Sequence, residues 1–158
     1  MRKLFCWLTL ALLPLAAEAQ KKPGEAATIE SVEIKGEAIP GSRVTAVVKV
    51  KLAEGYHAHS DKPSQPEFIP TVLKVESVAG VKAGTVVYPA AKSERVPGLP
   101  KPLSVFEETF EISVSLGLSA SVKLPATIPA TLSYQACQGP KCYAPHNLKF
   151  EIKLPAAK

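Results

Sequence analysis

Arg43-Val44-Thr45-Ala46-Val47-Val48-Lys49-Val50-Lys51-Leu52 alternates apolar and polar side chains along most of its length. Val44, Ala46, Val48, Val50 and Leu52 fall on one face; Arg43, Thr45, Lys49 and Lys51 fall on the other. A period of two marks a strand with one buried face, and one wet face favours antiparallel pairing. The same alternation returns twice further along. Phe110, Ile112, Val114 and Leu116 alternate with Glu111, Ser113 and Ser115 inside a strand expected over Leu103 to Leu116. Leu148, Phe150, Ile152 and Leu154 alternate with Lys149, Glu151 and Lys153. Shorter strands are expected over Thr28 to Lys35, Thr71 to Val78, Thr85 to Tyr88 and Ala130 to Ala136. A weaker one, interrupted by Pro125, spans Ala120 to Ile128. No segment after the first twenty residues has helical periodicity, and the chain holds 15 prolines, which break helices and sheet interiors alike. About eight short strands punctuated by turns predict an all-β fold, an immunoglobulin-like antiparallel β-sandwich, with a closed barrel as the alternative.

The N-terminus reads as an export leader. Arg2 and Lys3 precede an apolar run from Leu4 to Leu15, and Ala17-Glu18-Ala19 has the small-residue spacing of a cleavage site. Residues 1–19 are therefore assigned to a signal peptide, 20–27 to a flexible lead-in and 28–155 to the domain. The apolar run is too short to span a bilayer, and no membrane span is expected in the mature chain. Cys6 would be lost with the leader. Arg2, Lys3 and Glu18 would leave too, so the formal net charge of +5 would fall by one. The remaining charges alternate along strands instead of massing on one face, which argues against nucleic-acid binding. Export would place the mature cysteines in an oxidising compartment, where a disulfide persists.

Two cysteines then remain, in Tyr134-Gln135-Ala136-Cys137-Gln138-Gly139-Pro140-Lys141-Cys142-Tyr143-Ala144-Pro145. Gly139-Pro140 is a turn signal, so both thiols sit on one tight turn. A structural staple and an exchange-active pair are both open. As a staple the pair is weak: closing so small a ring stabilises a fold by only about 2 kcal/mol, against nearly 5 kcal/mol for a long loop. Exchange is favoured by Lys141 beside Cys142 and His146 four residues beyond it, since nearby cations lower a thiol's pKa. Cys142 is the candidate attacking thiol, Cys137 the resolving one, and Lys141, Tyr143 and His146 are the candidate supporting residues. No cofactor is expected. The alternative is a metal carrier for zinc or Cu(I), with ligands from Cys137, Cys142, His57, His59 and His146. A non-catalytic binding module with a hairpin staple is a further reading.

The chain also resembles a known family. Gly55-Tyr56-His57, Ser60, Lys62-Pro63, Ile69-Pro70-Thr71, Tyr88-Pro89, Tyr134-Gln135-Ala136-Cys137 and Cys142-Tyr143-Ala144-Pro145 are similar to landmarks of the N-terminal periplasmic domain of the thiol:disulfide interchange protein DsbD. The resemblance implies an immunoglobulin-like domain whose cysteine pair takes electrons from a thioredoxin-like or membrane-embedded donor. It would pass them to exported disulfide-containing proteins. It also implies that the second cysteine, Cys142, makes the intermolecular disulfide, and that the loop Lys92 to Leu103 acts as a cap. That loop carries Val96, Leu99 and Pro100 where the best-known members have an aromatic ring. Those members also have one more residue between the cysteines. They continue into a membrane domain, so here the donor is expected to be a separate protein.

Overall fold

The computed structural model describes residues 25–156, so the expected leader and most of the lead-in lie outside the described residues. Twelve strands and no helix make up the described chain: β1 (Ala27–Lys35), β2 (Arg43–Leu52), β3 (His57–His59), β4 (Val72–Val75), β5 (Val81–Val87), β6 (Lys92–Glu94), β7 (Leu103–Glu107), β8 (Thr109–Leu118), β9 (Ala126–Tyr134), β10 (Ala136–Gln138), β11 (Lys141–Cys142) and β12 (His146–Leu154). Every pairing between them is antiparallel. They form a sheet ordered β1-β2-β8-β5, a second ordered β12-β9-β4, and a third ordered β11-β10-β3-β7-β6. The architecture is an immunoglobulin-like β-sandwich, as the alternating runs predict.

The core is the sum of the buried faces. Val44, Ala46, Val48 and Val50 of β2 meet Ile112, Val114 and Leu116 of β8 on one side, and Ile128, Ala130, Leu132 and Ile152 come from β9 and β12. Each is almost wholly removed from water, and burying each valine, leucine or isoleucine among them stabilises the fold by about 1.5–3 kcal/mol. The polar partners in the alternation stay outside, where Lys49 of β2 pairs with Glu30 of β1 at 2.8 Å. Val47 departs from the pattern: it lies on the outer face of β2 and is buried all the same.

Several expected boundaries move. The run Leu103 to Leu116 is two strands, because the chain leaves the third sheet at the end of β7 and enters the first at β8. The joint is Glu108, whose φ of 53° is the one positive value outside glycine among the described residues. Its carbonyl accepts a hydrogen bond from Leu52 N–H at 2.6 Å, which holds the switch in place. The weak strand expected over Ala120 to Ile128 forms only from Ala126, and it runs on to Tyr134 as one strand. The strand expected from Thr85 begins earlier, at Val81. The expected loop Lys92 to Pro102 opens with β6, paired to β7. The strands beyond the expected eight are short ones: β3 falls in Tyr56 to Ser60, a stretch the sequence allows as a short strand, and with β10 and β11 it builds the cysteine hairpin and its neighbour.

Candidate functional site

Cys137 and Cys142 face each other across the β10–β11 hairpin and are joined by a disulfide with S–S of 2.02 Å. The two-residue connection Gly139-Pro140 requires a left-handed residue at its first position, and Gly139 supplies it with φ of 53°. Tyr143 N–H donates to the Ala136 carbonyl at 2.9 Å, closing the hairpin independently of the sulfurs. The two cysteines differ sharply in exposure. Cys137 is fully buried and Cys142 is exposed.

β10 is a centre strand because β3 pairs with its other edge, with Ala136 opposite Ala58 and Cys137 opposite His57. All three residues of β3 are buried. That register brings His59 beneath the disulfide: its Nε2 lies 3.6 Å from Cys137 Sγ and 3.8 Å from Cys142 Sγ. Its other nitrogen, Nδ1, has no hydrogen-bond partner among the described residues. Desolvation, with a smaller contribution from the nearby His57, depresses the His59 pKa to about 4, so the ring is neutral at pH 7. The face of the imidazole is covered by Phe68, stacked at 4.4 Å between centroids and 18° between planes.

Phe68 connects the site to the expected cap. It packs, together with Leu99, against a small buried cluster of Val96, Leu103 and Val105, separate from the main core. Leu99 N–H closes a turn on the Val96 carbonyl at 3.2 Å, and Pro100 is exposed. Val96 and Leu99 therefore touch the site's surroundings through Phe68. Lys92 to Leu103 holds no aromatic residue; the ring beside the site is Phe68, from the segment 61–70, and it lies on His59.

The other expected residues separate into two groups. Lys141 sets its ammonium 5.1 Å over the Tyr143 ring, and Tyr143 also meets Tyr56 at 5.8 Å. His146 opens β12 and packs edge-on against Tyr134 at 5.9 Å. His57 turns its Nδ1 to Glu94 Oε2 at 3.1 Å, in a partly acidic cleft of about 450 Å³ that also borders Gly139. Of the five proposed metal ligands, the structure gathers Cys137, Cys142 and His59, with all ligand atoms within 4.8 Å of one another. His57 and His146 are not part of that group. Sequence reasoning missed Phe68 and Glu94 as neighbours of the two histidines. Phe68-Ile69, an apolar pair in a proline-rich loop, was the available signal for the first.

The site is a disulfide-bonded cysteine pair, one residue buried and the other exposed, carried on a hairpin of an immunoglobulin-like sandwich. Residues 26–154 match the family described as "Thiol:disulfide interchange protein DsbD, N-terminal", and the chain belongs to that family. Family and disulfide together fit thiol:disulfide redox activity, and the described residues include no helix long and apolar enough to cross a membrane. Among solved structures, the N-terminal periplasmic domain of ScsB from Proteus mirabilis is similar in fold, with a TM-score of 0.60 at 13% identity; the match covers 87% of this chain and 51% of that one. The DsbD N-terminal domain of Neisseria meningitidis, in its reduced form, aligns with a TM-score of 0.47 at 17% identity, over 79% of this chain and 86% of that one. No curated protein sequence matches.

Proposed function

We propose that the protein exchanges electrons between a thioredoxin-like or membrane-embedded donor and exported disulfide-containing proteins, through Cys137 and Cys142, in the periplasm. The observation that carries this reading is the asymmetry of the pair: Cys142 is an exposed residue and Cys137 is fully buried. A donor thiolate attacks Cys142 Sγ, forms a mixed disulfide and expels Cys137 as the thiolate. The donor's second thiolate then attacks its own sulfur in that bond and releases Cys142, so two electrons and two protons have moved to this protein. In the forward step the Cys142 thiolate attacks a client disulfide. Cys137 attacks Cys142 Sγ and frees the client as a dithiol.

Lys141, Tyr143 and His146 border this chemistry as candidate supporting residues, and the Lys92 to Leu103 loop with Phe68 is the candidate cover. The hairpin's own backbone bonds already close the turn, which supports a disulfide kept for chemistry over one kept as a staple. Trapping tests the assignment: each single-cysteine variant is first converted to its mixed disulfide with thionitrobenzoate and then offered to a thioredoxin variant lacking its resolving cysteine, whose thiolate displaces thionitrobenzoate to form the adduct. Cys137→Ala is expected to accumulate the covalent adduct and Cys142→Ala is not. Adduct formed only by Cys142→Ala would reverse the roles, and none from either variant would leave the pair a staple.

A further inference from the structure

We propose that the reduced Cys137–Cys142 pair and His59 form a three-coordinate binding site for Cu(I), used when the disulfide is open. The geometry already exists on the histidine side. A metal held at about 2.3 Å from sulfur and about 2.0 Å from imidazole nitrogen, with trigonal angles, needs nitrogen and sulfur about 3.7 Å apart. His59 Nε2 stands 3.6 Å from one sulfur and 3.8 Å from the other. Only the sulfurs have to part, to about 4 Å on the same metal–sulfur distance, and reduction removes the bond that holds them. Cys142, exposed on the short β11, is the sulfur free to move.

Three features select the ion. Two thiolates and one imidazole are soft donors, which favour Cu(I) over hard divalent ions. The ligand group stops at three among the described residues, which suits a low-coordinate ion better than a tetrahedral one. Phe68 over the imidazole and the burial of Cys137 and His59 keep water from completing a larger shell. The tautomer is free to comply, because Nδ1 has no partner among the described residues and Nε2 faces only the two sulfurs: the proton sits on Nδ1 when Nε2 binds metal. Binding replaces two thiol protons by one Cu(I), releasing both protons to solvent. Copper has to arrive as Cu(I), since two Cu(II) ions would oxidise the dithiol to the disulfide and leave it without thiolates. The copper-bound and disulfide forms thus exclude one another.

The test uses the phosphine-reduced protein without oxygen, titrated with Cu(I) against a chromogenic Cu(I) chelator. One Cu(I) per chain is expected for the reduced protein and none for the oxidised one. His59→Asn is expected to weaken binding at least tenfold, and His57→Gln to change it by less than about twofold. Failure of the reduced protein to take one equivalent, tighter retention of Zn(II) than of Cu(I), or an unchanged affinity in His59→Asn would overturn the site. Should His59→Asn not fold, X-ray absorption at the copper edge decides on the unmutated protein: two sulfurs and one nitrogen support the site, sulfur alone overturns it. None of these measurements involves a redox partner, so they stand or fall apart from the exchange reading.

Discussion

Phe68 has two neighbours with different purposes. Its ring stacks on His59, whose Nε2 faces both sulfurs, and its edge packs on the cluster of Val96, Leu103 and Val105. Removing it uncovers the imidazole and loosens the loop at one stroke. Because the ring is only half-buried, Phe68→Ala is expected to cost about 1–2 kcal/mol, below the range for a fully buried phenylalanine. The rate at which glutathione reduces the Cys137–Cys142 disulfide should rise severalfold, as the buried side of the pair becomes reachable. An unchanged rate alongside the expected loss of stability would reduce Phe68 to a packing residue. The sequence offers His59 only as one of five possible ligands and says nothing of its contact with Phe68. His59 lies 78 positions before Cys137, and no local period reports a contact made across paired strands. What the sequence does carry is the hairpin itself: the Gly139-Pro140 turn with a cysteine on either side is a local signal, and local signals survive folding.

At the scale of the strand, legibility follows the same division. β2 and β8 are readable because each buries one whole face, and β12 because its apolar side is buried or half-buried throughout, so the alternation in the sequence is the alternation in the structure. The break between β7 and β8 is unreadable, because glutamate has no preference for the left-handed region in which Glu108 sits. The chain accepts that conformation to pass from one sheet to another. A non-glycine residue there carries about 1–2 kcal/mol of steric cost, whereas glycine in a strand costs about 0.5–1 kcal/mol in entropy. The two nearly cancel in favour of relief. Glu108→Gly is therefore expected to leave stability unchanged or raise it by about 0.5 kcal/mol, by the difference of those terms. Glu107→Gly, one residue earlier inside β7, should lower it by about 1 kcal/mol on the entropic term alone. Urea midpoints of the two variants compare them directly, and a loss above about 1 kcal/mol in Glu108→Gly would mean that its side chain outweighs the backbone strain.

Across the whole molecule, Tyr134 joins the sandwich to the site. It is the last residue of β9, it sits two positions before the β10 strand that carries Cys137, and it is 1% exposed. Its hydroxyl accepts the Ala27 N–H at 3.1 Å, tying the start of β1 in the first sheet to β9 in the second. Burial raises its pKa above the ordinary value, and the backbone donors at Ala27 and Ala26 offset only part of that rise. Tyr88, which accepts the Leu73 N–H at 2.9 Å, is raised for the same first reason. The consequence for stability has a definite sign. Above pH of about 10 the unfolded chain ionises these phenols while the folded one holds its protons, so the unfolded state binds fewer protons and stability falls as pH rises. The contribution is whole below that point and disappears as pH climbs through the folded-state values. Urea midpoints should stay flat from pH 7 to about 9 and drop beyond about 10. Tyr134→Phe removes an ionisable group together with a hydrogen bond, so it should cost about 1 kcal/mol at pH 8 and show a shallower alkaline decline. An equally steep decline in Tyr134→Phe would assign the alkaline limb to other groups and leave the hydroxyl's role to its hydrogen bonding.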